Sequence, residues 1–84
     1  MPRVAYSRAA IKSLKRIPPK DAARIRARIA VYAADPASQK VNVVKLAGRD
    51  GFRLGVGGWR VIFDNDGAVM AILAVGPRGG IYEK

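Results

Sequence analysis

The stretch Phe52-Arg53-Leu54-Gly55-Val56-Gly57-Gly58-Trp59-Arg60-Val61-Ile62-Phe63 leaves the chain little freedom in how it folds. Two runs with apolar residues at alternate positions flank Gly57-Gly58, a pair that accepts the positive φ of a tight primed turn, so the stretch reads as a β-hairpin. With the two glycines as its loop, Val56 pairs with Trp59, Gly55 with Arg60, Leu54 with Val61, Arg53 with Ile62 and Phe52 with Phe63. Side chains alternate between the two faces of a sheet. Phe52, Leu54, Val56, Trp59, Val61 and Phe63 therefore share an apolar face, while Arg53, Gly55, Arg60 and Ile62 share the other. A slip by one residue would bury the guanidiniums at a cost of roughly several kcal/mol, and this holds the register.

Upstream of the hairpin the period is helical. Val4-Ala5-Tyr6 suits a short strand, and Ser7 is placed to cap a helix running to about Arg16, with Ala10, Leu14 and Ile17 on one face. Pro18-Pro19 ends that helix and opens a second from about Pro19 to Ala34, since proline breaks a helix interior yet suits its first turn. Ala22, Ile25, Ile29 and Tyr32 or Ala33 form its buried stripe, and Asp21 complements the positive end of its dipole. Asp35-Pro36 stops it. The short proline turn predicts an antiparallel helical hairpin. Lys20, Arg24 and Arg28 recur at every fourth position, with Arg26 beside them. A solvated helix face is the first reading of that stripe, and a phosphate-contacting or acid-contacting face the second.

From Val41 the period becomes two, through Val43, Val44 and Leu46 to a turn at Gly48-Arg49-Asp50-Gly51. Asn65-Asp66-Gly67 marks a further hairpin turn. The run Ala68 to Val75 is apolar at every position, as expected of a central strand covered on both sides. Gly76-Pro77-Arg78-Gly79-Gly80 then leaves the sheet. The order implies one α+β domain over residues 1–84: an N-terminal strand, then an antiparallel two-helix hairpin packed on a mainly antiparallel β-sheet. The sheet face carrying Arg53 and Arg60 is expected to be bare.

The chemistry open to such a domain is narrow. There is no cysteine and no histidine, which removes thiolate and imidazole nucleophiles, bases and metal ligands, so no metal or cofactor is expected. Sixteen Lys and Arg against six Asp and Glu give a formal charge of +10, a field that gathers polyanions. Neither a signal-peptide apolar region nor an apolar run long enough to span a bilayer is present, so a cytoplasmic protein with no membrane partner is expected. Gly55-Val56-Gly57-Gly58 lacks the spacing of a phosphate-cradling loop and sits between two strands, where turn chemistry explains it.

What remains are arginines and tyrosines. Arg53 and Arg60 share one face, Arg78 follows the end of the last strand, and Tyr82 comes four residues later. Guanidiniums converging on one surface grip a phosphate bidentately, and their field lowers the pKa of a neighbouring phenol so that it can serve as a base. That set suits RNA cleavage by 2′-hydroxyl attack on the phosphate. On the residues alone an inert reading stands equally: Arg53 and Arg60 as strand surface, and Tyr82 packed on the sheet edge.

The chain as a whole resembles the RelE/ParE toxin superfamily of type II toxin–antitoxin systems. The resemblance is carried by Ala10-Ile11-Lys12-Ser13-Leu14-Lys15-Arg16-Ile17-Pro18, Asp35-Pro36, Lys45-Leu46-Ala47-Gly48, the hairpin from Phe52 to Phe63, Val75-Gly76-Pro77-Arg78 and Tyr82, in that order. It implies a toxin that is a ribosome-dependent mRNA endoribonuclease, neutralised by an acidic, partly disordered cognate antitoxin. By matched position Arg60 would steady the scissile phosphate, Arg78 assist the leaving oxygen, and Tyr82 take the proton of the attacking 2′-hydroxyl. Arg53, Lys45 and Arg49 would contact the RNA. Gly55 stands where relatives usually carry a further Lys or Arg. The resemblance also admits a ParE-like inhibitor of DNA gyrase on the same scaffold, or a non-catalytic partner in an operator-binding repressor complex.

Overall fold

The computed structural model describes residues 3–48 and 50–78, with the backbone alone for residues 39–41. Its elements run β1 (Arg3–Tyr6), α1 (Arg8–Arg16), α2 (Pro19–Ala34), a 3-10 segment (Pro36–Asn42), β2 (Val43–Lys45), β3 (Phe52–Val56), β4 (Trp59–Asn65) and β5 (Val69–Pro77). The strands form one sheet in the order β1-β5-β4-β3-β2. All neighbours are antiparallel except β1, which lies parallel to β5 with Arg3 opposite Val69 and Tyr6 opposite Ile72.

Local chemistry sets each boundary. Ser7 caps α1, its Oγ accepting from the Ala10 N–H at 3.0 Å and donating to the Leu73 carbonyl at 2.9 Å. Proline opens α2 at its first position, where the missing N–H costs nothing. The β3–β4 hairpin has the register set by the alternation, from Phe52 opposite Phe63 to Val56 opposite Trp59. Gly57 takes φ 59°, the positive value required at the first central position of a primed turn. In the β4–β5 turn the Asp66 carboxylate accepts from the N–H groups of Ala68 and Val69, both at 2.9 Å, and these hydrogen bonds hold its pKa below the ordinary 3.8.

The core lies between the helices and one sheet face. Ala10, Leu14 and Ile17 of the first helical stretch and Ile25, Ile29, Tyr32 and Ala33 of α2 pack against Leu54, Val56, Val61, Phe63, Met70, Ile72 and Val75. Phe63 is its centre, fully buried between the rings of Tyr32 (centroids 5.2 Å apart) and Phe52 (5.4 Å). Among the described residues no helix is long and apolar enough to cross a membrane.

Two expectations are corrected. Val41 belongs to the 3-10 segment and not to a strand; β2 begins at Val43 because Pro36 starts a helical turn that runs on to Asn42. The last strand is central, between β1 and β4, but only one of its faces is covered by described residues. A bulge between the partners of Ile62 and Phe63 leaves Leu73 unpaired and 41% exposed, on a strand whose Ala71 and Ala74 are half-buried. The run is apolar throughout, yet its alanines bury little on the far face, where Ile62 of β4 is enclosed at 3% exposure.

Candidate nucleic-acid interface

Cross-strand partners share a face, so the ladder fixes what stands on the bare side. Nearest the hairpin tip lies the row Gly55, Arg60 and Gly76; behind it lies the row Val44, Arg53, Ile62 and Ala74. Arg60 is thus flanked on both neighbouring strands by glycine. Its guanidinium lies flat in the space this leaves: a Cβ on Gly55 would sit 3.3 Å from Arg60 Nη1 and 3.6 Å from Cζ.

Arg60 is also tethered. Its Nη1 donates to the carbonyls of Gly57 at 3.2 Å and Trp59 at 2.9 Å. Both Nη1 protons are then engaged, while Nε and Nη2, the side-on edge of the fork, make no hydrogen bond among the described residues. That edge is the one a phosphate takes bidentately. Arg60 lines a shallow concavity of about 220 Å³ together with Asn42, Val44, Arg53, Gly55 and Gly57. Arg53, on the diagonal position of the adjacent strand, is about 7–8 Å away by sheet geometry. Arg78 comes directly after β5, and its backbone N–H donates to the Gly58 carbonyl at 2.9 Å. The tip that anchors Arg60 through Gly57 therefore anchors the Arg78 backbone through Gly58.

Not every expected residue joins this group. Lys45 pairs with Phe52 and so takes the helix-side face of the edge strand, whereas Val44 stands beside Arg53. Arg49 and Tyr82 lie outside the described residues. Neither described tyrosine that follows β1's start offers a base here: Tyr32 is buried against Phe63, and Tyr6 is on the helix side. Burial pushes the Tyr6 phenol up, against the opposing pull of the Arg26 guanidinium 5.1 Å from its ring centroid.

Sequence reasoning missed two residues. Asn42 lines the concavity because the 3-10 segment brings it beside Val44, and no periodicity announced that segment. Arg24, read first as part of a solvated stripe, reaches the hairpin tip: a Cβ on Gly57 would lie 3.3 Å from its Nη1. No local pattern signals this, because the contact joins α2 to a turn far along the chain.

Two helices on one face of a five-stranded mixed sheet is the fold of the RelE-like toxins. The chain belongs to the RelE/ParE toxin superfamily: the model of the ParE toxin family, described as the ParE toxin of the type II toxin–antitoxin system parDE, matches residues 4–82. The fold is similar to a chain of the archaeal RelE-RelB complex from Pyrococcus horikoshii OT3, with TM-score 0.76 and 27% identity over 95% of this chain and 98% of that one. It is similar also to a chain of the RelB-RelE antitoxin-toxin complex from Methanococcus jannaschii, with TM-score 0.74 and 21% identity over 93% and 94%. For the toxin-antitoxin complex RelBE2 from Mycobacterium tuberculosis the values are 0.60 and 24%, over 93% and 100%. No curated protein matches by sequence.

Proposed function

We propose that this toxin is a metal-independent, ribosome-dependent mRNA endoribonuclease. The observation that carries the reading is the tethered Arg60, whose Nη1 is held by two carbonyls and which lines a cationic concavity together with Arg53. Cleavage by 2′-hydroxyl attack forms a 2′-oxygen–phosphorus bond and breaks the bond to the 5′-oxygen, so negative charge builds on the phosphoryl oxygens. A fixed guanidinium aimed at those oxygens stabilises the transition state more than the ground state. Arg53 binds the adjoining backbone, Arg78 stabilises the departing 5′-oxygen, and Tyr82 accepts the 2′-hydroxyl proton. The 5′-oxygen is protonated from water.

The similar chains come from complexes with RelB and so support a cognate antitoxin for this chain too, and the charge of +10 favours an acidic one that becomes ordered on the basic surface. A second reading, inhibition of DNA gyrase, is favoured by the family match to ParE. It does not require Arg60, Arg78 and Tyr82 to act together.

Cleavage of messenger on programmed ribosomes separates the two. Arg60→Ala is expected to lower the cleavage rate about 10²–10³-fold, or roughly 2.7–4 kcal/mol, as when an oxyanion donor is removed. Intact messenger with the unaltered protein, together with gyrase-linked DNA breaks in cells expressing it, would overturn the ribonuclease reading in favour of the second.

A further inference from the structure

The helical layer sends one cation to the tip of the hairpin. Asp21, in the first turn of α2, accepts from the Trp59 indole Nε1 at 3.3 Å through one carboxylate oxygen and pairs with Arg24 Nη2 at 3.4 Å through the other. This ties the start of α2 to the first residue of β4. It also leaves Arg24 Nη1 against Gly57, at 3.3 Å from the place a Cβ would occupy. The carbonyl of the same Gly57 takes Arg60 Nη1 at 3.2 Å. Two guanidiniums, one from each layer, thus reach a single glycine, Arg60 at its carbonyl and Arg24 at the place of its missing side chain.

We propose that Arg24 is a fourth guanidinium of the RNA site, beside Arg53, Arg60 and Arg78, holding the phosphate next to the one gripped by Arg60. The inference rests on the ribonuclease reading and extends it. Both groups touch one residue from different directions, so they address neighbouring phosphates of one strand and not a single phosphate. Arg24 is free to make the exchange. Its side chain is 56% exposed, and a surface ion pair of this kind is worth only about 0–1 kcal/mol. A phosphate presents more charge and a bidentate acceptor, so the guanidinium can turn to it while Asp21 keeps the indole. The tip becomes a clamp: the helix layer holds one phosphate, the bare sheet face holds the next, and Gly57 forms the low saddle between them.

The test uses the full chain and a fluorescein-labelled, single-stranded 2′-O-methyl RNA octamer, which binds but has no 2′-hydroxyl to attack. Affinity is read by anisotropy between about 50 and 200 mM salt. Arg24→Ala is expected to weaken binding about ten-fold at the low end and to reduce the slope of log K against log salt by about 0.7, one phosphate on a single strand. Arg24→Lys restores the slope, because it restores the charge. Lys12→Ala removes the same unit of charge from an exposed position on α1 and should leave the slope unaltered. Equal effects of Arg24→Ala and Lys12→Ala, with Arg60→Ala still weakening binding, would overturn the clamp alone. No effect on binding from Arg24→Ala, with cleavage on programmed ribosomes lost in Arg60→Ala, would likewise overturn the clamp and leave the ribonuclease reading standing, whereas full cleavage by Arg60→Ala on programmed ribosomes would take that reading down too. Arg24 is exposed and outside the core, so a thermal melt equal to that of the parent is expected for both of its variants.

Discussion

Gly55 is the sharpest point at which to perturb the site without touching a charge. Its φ is unremarkable for a strand, so a substitution meets no backbone strain; what it meets is Arg60. A Cβ there would lie 3.3 Å from Nη1, a few tenths of an ångström inside ordinary van der Waals contact. Arg60 is the end of a flexible side chain and yields. If displacement of a reacting group by 1 Å costs about 10²-fold, a few tenths cost roughly three- to five-fold, which is the fall in cleavage expected for Gly55→Ala. Gly55→Val goes further. Its γ-methyls fill the seat and force the guanidinium off the carbonyls of Gly57 and Trp59, so cleavage should fall about 10²–10³-fold, to the level of Arg60→Ala. Stability should change little, because the loss of two half-exposed hydrogen bonds is offset by the better strand propensity of valine, each effect being of order 1 kcal/mol. Single-turnover cleavage on programmed ribosomes and a thermal melt give the two readings. A valine variant that cleaves as fast as the parent, while Arg60→Ala is inactive, would refute the idea that the seat over Gly55 is where Arg60 acts. A rate that falls in step with stability would refute it equally.

Two further outcomes test the scaffold. Ser7→Ala removes both the cap on α1 and the bond to Leu73, a loss of about 2 kcal/mol that should lower Tm by roughly 8–16 °C. Asp66 is held below 3.8 by the backbone N–H groups of its turn, so it stabilises the fold at neutral pH and loses that contribution as pH falls through its depressed value; Asp66→Asn, which keeps an acceptor in place, should flatten the pH dependence of denaturant midpoints below about pH 4.

How much of this was legible beforehand varied with the kind of pattern present. The hairpin register was written in its alternation and its glycines, and with it the sharing of one face by Arg53 and Arg60. Both helices could be bounded because proline marks their ends at positions 18, 19 and 36. Between Pro36 and Asn42 there is no periodicity to read, so the 3-10 segment and the placing of Asn42 went unseen. In β5 every position is apolar, so alternation could fix neither the register nor the bulge at Leu73. The seat of Arg60 depends on which carbonyls the hairpin turn presents, and the approach of Arg24 to Gly57 joins elements 33 positions apart (57 − 24). Such contacts belong to tertiary geometry and leave no local trace.

The parallel pairing of β1 with β5 has a consequence for how the molecule is made. An interior strand of the sheet, β5, is the last of the described elements to be synthesised, and the first strand must wait for it across more than sixty residues of intervening chain. Until residues 69–77 emerge, α1 lacks the strand it packs on, Gly76 is not beside Arg60, and Arg78 has no Gly58 carbonyl to hold it. A half-made copy still on its own ribosome therefore carries most of the toxin's charge while Arg60 stands on an edge strand and the first strand has nothing to pair with.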